Sequence, residues 1–118
     1  MTLTPPHREA FIKLATEYWR LLKLTERTVA DTQNEKSASV AAQLRYSMSR
    51  LSTICAEVGL KLVSYDREPY LPNLPVTVAN SDETEPSEGL IVERTVEPTI
   101  IGDGQVVAMG KVFLKKRV

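Results

Sequence analysis

Between His7 and Val58 the chain has neither a proline nor a glycine, whereas from Gly59 onward it holds all 5 glycines and five of its 7 prolines. A proline inside a helix removes a backbone donor, and a glycine there costs backbone entropy. So long a stretch without either points to helix. Thr4 stands where an N-cap belongs, and Pro5 suits the first helical position, whose N–H has no helical partner. Phe11, Ala15, Tyr18, Leu22 and Val29, with Thr25 completing the series, recur at three- and four-residue steps along one helical face. Ile12, Trp19 and Leu24 broaden that stripe. The polar run "DTQNEKS" interrupts it, and it resumes at Ala41, Leu44, Met48, Leu51, Cys55 and Val58. Gly59 is placed for the left-handed residue that ends a helix. Two arrangements fit: an antiparallel hairpin turning near residues 31–37, where Asn34 suits a turn, or one helix running through.

Apolar residues fall on more than one face, so a lone helix pair is expected to leave Trp19, Leu21 and Ile54 with little cover. The economical supplier of further helical surface is a second copy, in a two-fold bundle; the alternative is that the second half folds back over them. The dimerising set expected is Phe11, Tyr18, Trp19, Leu22, Leu44, Leu51 and Ile54.

The second half reads as short strands. "LKLVSY" and "LIVERTVE" are extended candidates, with Pro98 confining the latter to an edge or ending its pairing. Residues 80–89, "NSDETEPSEG", are expected to form a solvated acidic loop. Gly102-Asp103-Gly104 marks a hairpin turn. Read as one alternating strand, residues 106–115 put Val106, Ala108, Gly110, Val112 and Leu114 on a core face. Val107, Met109, Lys111, Phe113 and Lys115 then lie on a mixed apolar and basic face, a candidate binding surface with Arg94 at its rim. "YLPNLPVTV", residues 70–78, reads as a rigid joint between the helical part and this β-cap. The expected fold is α+β: a helical dimerisation region over 1–59, then a small, mostly antiparallel β-domain over 60–118.

Chemistry is harder to find. Lys plus Arg number 15, as do Asp plus Glu, so no positive surplus recommends a nucleic-acid or anionic-membrane binder. One histidine, His7, and one cysteine, Cys55, cannot furnish a zinc site. The carboxylates gathered in residues 82–88 lack calcium-loop spacing. No phosphate-cradling glycine loop or nucleophile elbow is present, "PNLP" suits a structural turn better than a groove ligand, and "KKRV" reads as a solvated strand end. No run reaches the ~18 apolar residues of a membrane span, and the N-terminus lacks a secretory pattern. A cytoplasmic protein without catalytic activity, cofactor or metal, acting through its surfaces, is expected.

The order of elements resembles a known family. "LSTICAEVGLKLV" at the helix-to-β step, "YLPNLPVTV" after it, Gly89-Leu90-Ile91-Val92-Glu93 opening a strand and Val106-Val107-Ala108-Met109-Gly110-Lys111-Val112 near the end follow the GrpE-type nucleotide exchange factors, dimeric co-chaperones of DnaK-type ATPases. The likeness covers roughly residues 37–118. It departs where the family has Asp, here Leu71, and His-Glu-Ala, here Pro75-Val76-Thr77. The resemblance implies a homodimer whose β-domain binds the nucleotide-binding domain of a DnaK-type (actin-fold) ATPase and promotes ADP release. With the strand reading above, the contacts would be Arg94, Val107, Met109, Lys111 and Phe113. A non-catalytic dimeric adaptor is the alternative.

Overall fold

The computed structural model describes residues 3–32, 34–80 and 89–116. Two helices come first, α1 (Pro5–Ala30) and α2 (Glu35–Glu57), then six strands: β1 (Leu60–Val63), β2 (Val76–Val78), β3 (Leu90–Glu97), β4 (Thr99–Gly102), β5 (Gln105–Ala108) and β6 (Gly110–Lys116). The fold is α+β. The chain divides into two compact units, Met1–Lys61 and Leu62–Val118.

In the helical unit the two-helix arrangement is the one adopted. The two helices pack on each other, and the short connection 31–34 makes them antiparallel. What ends the polar stretch is a cap. Asn34 Oδ1 accepts from Ser37 N at 2.9 Å, while Ser37 Oγ accepts from Asn34 N at 3.0 Å, a reciprocal capping box. Thr4 is the N-cap of α1 in position only, because its hydroxyl shares a 2.7 Å hydrogen bond with His7 Nδ1 and caps no backbone N–H. Gly59, at φ +76°, follows the C-cap of α2, where a side chain would strain the left-handed turn.

Ala15, Trp19 and Leu22 of α1 and Leu51 and Cys55 of α2 are buried. Trp19 therefore departs from expectation: it is only 4% exposed, and the Lys23 ammonium lies 5.5 Å from its ring centroid. Trp19, Leu22 and Leu51 thus belong to the interior of the single chain. Phe11 and Leu44 are half-buried, and Tyr18 and Ile54 are exposed. Leu21 and Ile54, expected to have little cover, are exposed, and the uncovered apolar stripe of α1 runs over Leu14, Tyr18, Leu21 and Leu24, with Leu14 68% and Leu21 60% exposed.

The strands form two three-stranded sheets, β1-β4-β5 and β2-β6-β3. β3–β6 and β4–β5 are antiparallel, and β2–β6 is parallel. Asp103 (φ 55°) and Gly104 (φ 73°) form the two-residue loop between β4 and β5, and two successive positive φ values are the mark of a type I′ turn. Val76, Leu90, Val92, Val112 and Leu114 make the core of the second sheet, with Tyr65, Tyr70, Leu74 and Val78 packed against it.

The continuous last strand expected over 106–115 is two strands in different sheets. β5 stops at Ala108, β6 starts at Gly110, and Met109 lies between them. Alternation also fails inside β5. Ile100 pairs with Ala108 and Ile101 with Val106, so Val107 has no opposite residue. Such a bulge puts Val106 and Ala108 on opposite faces, and Val106, expected in the core, is 46% exposed. Within β6 the alternation holds: Gly110, Val112 and Leu114 are buried, and Lys111 and Lys115 are exposed.

The proline segment is no joint between the units, for it is built into the β unit. Tyr70 N donates to Leu90 O at 2.9 Å, Val76–Val78 is β2, and Pro75 O accepts from Gly110 N at 3.1 Å. Residues just before it line the outer edge of β3: Arg67 N donates to Val92 O (2.8 Å), Val92 N to Glu68 O (2.9 Å), and Thr95 N to Asp66 Oδ1 (2.6 Å). The strand that Pro98 ends therefore has its free edge paired, which guards it against edge-to-edge association.

Gly110 is required by contact. A Cβ there would lie 2.7 Å from Thr99 Oγ1 and 2.9 Å from both Glu97 O and Thr99 N. Two of those three atoms are backbone and cannot swing aside. Gly110→Ala is expected to lower the unfolding free energy by about 2–3 kcal/mol, the cost of overpacking a closed site. Urea denaturation followed by circular dichroism measures it, and an unchanged midpoint would show that the strands can separate without cost.

Candidate partner-binding surface

Residues directly opposite in an antiparallel pair share a face, so the β3–β6 register defines what the second sheet turns away from its core. Val92 pairs with Leu114 and Thr95 with Val112, all buried. On the other face Arg94 pairs with Phe113 and Glu97 with Lys111. Glu93 and Val96 are the unpaired residues of two bulges in β3, which shift the phase so that Arg94 and Glu97, three residues apart, come to the same side. Parallel pairing sets Thr77 of β2 beside Lys111.

The centre of this face is a cation–π pair. The Arg94 guanidinium carbon lies 4.4 Å from the Phe113 ring centroid. Such contacts are worth roughly 0.5–2 kcal/mol, more as water is excluded. Arg94 Nε is buried and has no hydrogen-bond partner among the described residues. Beside the pair, Lys111 Nζ and Glu97 Oε2 stand 3.9 Å apart with both side chains partly in water, a loose ion pair that fixes little. Thr77 Oγ1 donates to Gly110 O at 3.3 Å.

Of the five contact residues expected from the sequence, the structure gathers Arg94, Lys111 and Phe113. Val107 is the bulge of β5 in the other sheet, and Met109 sits exposed between β5 and β6. Glu97 and Thr77 join the face unforeseen. The period-two pattern of "LIVERTVE" hides Glu97, because each bulge reverses the phase.

Elsewhere little chemistry is offered. Among the described residues no group of three or more His, Cys, Asp or Glu stands as a metal site. The acidic run 82–88 lies outside them, as do the last two residues of "KKRV". No helix is long and apolar enough to cross a membrane. No family model, curated protein or solved structure matches the chain.

Cys55 is buried, and its desolvation pushes the thiol pKa up. The folded chain thus holds this proton after the unfolded chain has lost it. The associated stability is complete below the unfolded thiol pKa, about 8.5, and falls as pH rises beyond it. Cys55→Ser is expected to flatten the alkaline side of the stability–pH curve. A disulfide-exchange reagent should label native Cys55 far more slowly than the urea-unfolded thiol, and equal rates would show the site to be open.

Proposed function

We propose that the chain is a GrpE-like co-chaperone that binds the nucleotide-binding domain of a DnaK-type ATPase and promotes ADP release. The observation that carries this reading is the outer face of the β2-β6-β3 sheet, a half-buried Arg94–Phe113 pair beside an exposed Lys111. It stands in a small β unit that follows a helical hairpin, the order of elements expected of that family. The chain would act without covalent chemistry. A surface with higher affinity for the open, nucleotide-free conformer of the ATPase shifts the conformational equilibrium toward it, and linkage requires that nucleotide affinity fall by the same factor. Equal numbers of acidic and basic residues favour a protein partner over nucleic acid. On this reading the working compartment is the cytoplasm.

The helical unit would pair with a second copy. Leu14, Tyr18, Leu21 and Leu24 follow one another at steps of four, three and three on α1 and are exposed. Together they offer roughly 400 Å² per chain, about half the share of one partner in a standard interface, with polar flanks supplying the rest. The same stripe favours a second reading, a non-catalytic dimeric adaptor whose β unit docks some other protein.

Release of a fluorescent ADP analogue from a DnaK-type ATPase separates the two. The exchange factor accelerates release, and Phe113→Asp removes the acceleration while helicity is kept. No acceleration at saturating concentration would leave the adaptor. For the dimer, Leu21→Glu is expected to halve the mass seen by sedimentation, and a wild-type chain that is monomeric at micromolar concentration would exclude it.

A further inference from the structure

The Arg94–Phe113 pair has features that sheet stability does not explain. A guanidinium carries five N–H donors in a planar fork and is never deprotonated. Burying one of them unpaired costs about 1–3 kcal/mol. Arg94 nevertheless holds Nε buried and without a hydrogen-bond partner among the described residues. Its opposite residue in the ladder is an aromatic ring, although an acid there would have answered the charge. The one acid opposite a base on this face, Glu97, is engaged with Lys111.

Charge on the face is lopsided. Among the described residues the register turns Arg94, Lys111 and Lys115 outward against Glu97. Glu93 is exposed in the bulge next to Arg94, and its side is not fixed by pairing. The guanidinium is held over the Phe113 ring, 4.4 Å from its centroid, and so has less freedom before anything binds than a fully solvated arginine. A bidentate carboxylate contact needs a planar, pre-oriented fork, and ordering it in advance lowers the entropy lost on binding. Arginine and aromatic residues packed together are also the composition of binding hot spots.

We propose that the outer face of the β2-β6-β3 sheet reads acidity. Arg94, stacked on Phe113, receives a carboxylate from an acidic surface segment of the protein partner, and Lys111 and Lys115 line the rim. That the partner is a DnaK-type ATPase rests on the function proposed above; the carboxylate chemistry rests on the face itself.

The test is binding of the full chain to a DnaK-type ATPase by calorimetry, at about 50 mM and about 300 mM salt, a range over which the screening length shortens roughly 2.5-fold. ADP release is followed in parallel. The wild-type chain is expected to bind more weakly at the higher salt. Arg94→Ala should weaken binding roughly 30-fold, as loss of a hot-spot arginine does, and reduce the salt dependence. Arg94→Lys keeps the charge but loses both fork and stack, and should weaken binding by roughly tenfold or more. Phe113→Leu keeps an apolar side chain without the ring and should fall between wild type and Arg94→Ala. Thermal melts check the fold of each variant; if Arg94→Ala unfolds, Arg94→Lys and Phe113→Leu decide the matter. Variants that bind as tightly as wild type, or salt-independent binding, overturn the acid-reading face while accelerated ADP release leaves the exchange function standing. A wild-type chain that binds the ATPase at neither salt overturns both.

Discussion

A hydroxyl, a carbonyl and an amide meet at the point where the chain leaves one sheet for the other. Thr99 Oγ1 donates to Pro75 O at 2.8 Å and accepts from Gly110 N at 3.2 Å, and Gly110 N also reaches Pro75 O. Thr99 is fully buried, so each of these groups would be costly to leave unpaired. Three separate stretches are pinned at once: the end of the proline segment, the start of β4 and the start of β6. The absence of a side chain at Gly110 allows the approach. Everything the β unit presents is placed by this meeting, because it fixes where β6 begins and hence which residues oppose β3.

That placement accounts for the outer face. With β6 started at Gly110, alternation sends Val112 and Leu114 inward and Lys111, Phe113 and Lys115 outward, and the two bulges of β3 bring Arg94 and Glu97 round to meet them. Neither strand alone holds the pair. The face is a product of register, and any change that slips the register by one residue would bury the cations and expose the core.

Much of the architecture was legible in the sequence, and what was not has physical reasons. Helical runs announce themselves by the absence of proline and glycine, Gly59 and the Asp103-Gly104 turn by the need for positive φ, and Leu90–Glu97 by its flanking glycine and proline. Bulges are different. Nothing in "QVVAMG" says that Val107 will lack a partner, because a bulge is a relation between two strands. The change of sheet at Met109 was hidden by a run whose alternation looked unbroken. Trp19 was misjudged because a helix-face count does not see how the packed chain covers a side chain. The Asn34–Ser37 box was readable in principle, an Asn three residues before a Ser, but the polar run around it masks any single signal. For the candidate surface, Arg94, Lys111 and Phe113 could be named from composition and alternation. Their contact, and the intrusion of Glu97, required the ladder.

One small device at the end of β2 has a practical meaning. Asn80 uses its side chain as a strand would use its backbone: Nδ2 donates to Leu114 O at 2.8 Å, and Oδ1 accepts from Leu114 N at 2.9 Å. Pairing along this side of β6 is thereby closed by a side-chain amide, and across β6 it reopens at Leu90, opposite Lys116. The registers of β2 and β3 are held from both sides of the connection between them. A single substitution, Asn80→Ala, would therefore unmake two of the bonds that close β6 on this side at once.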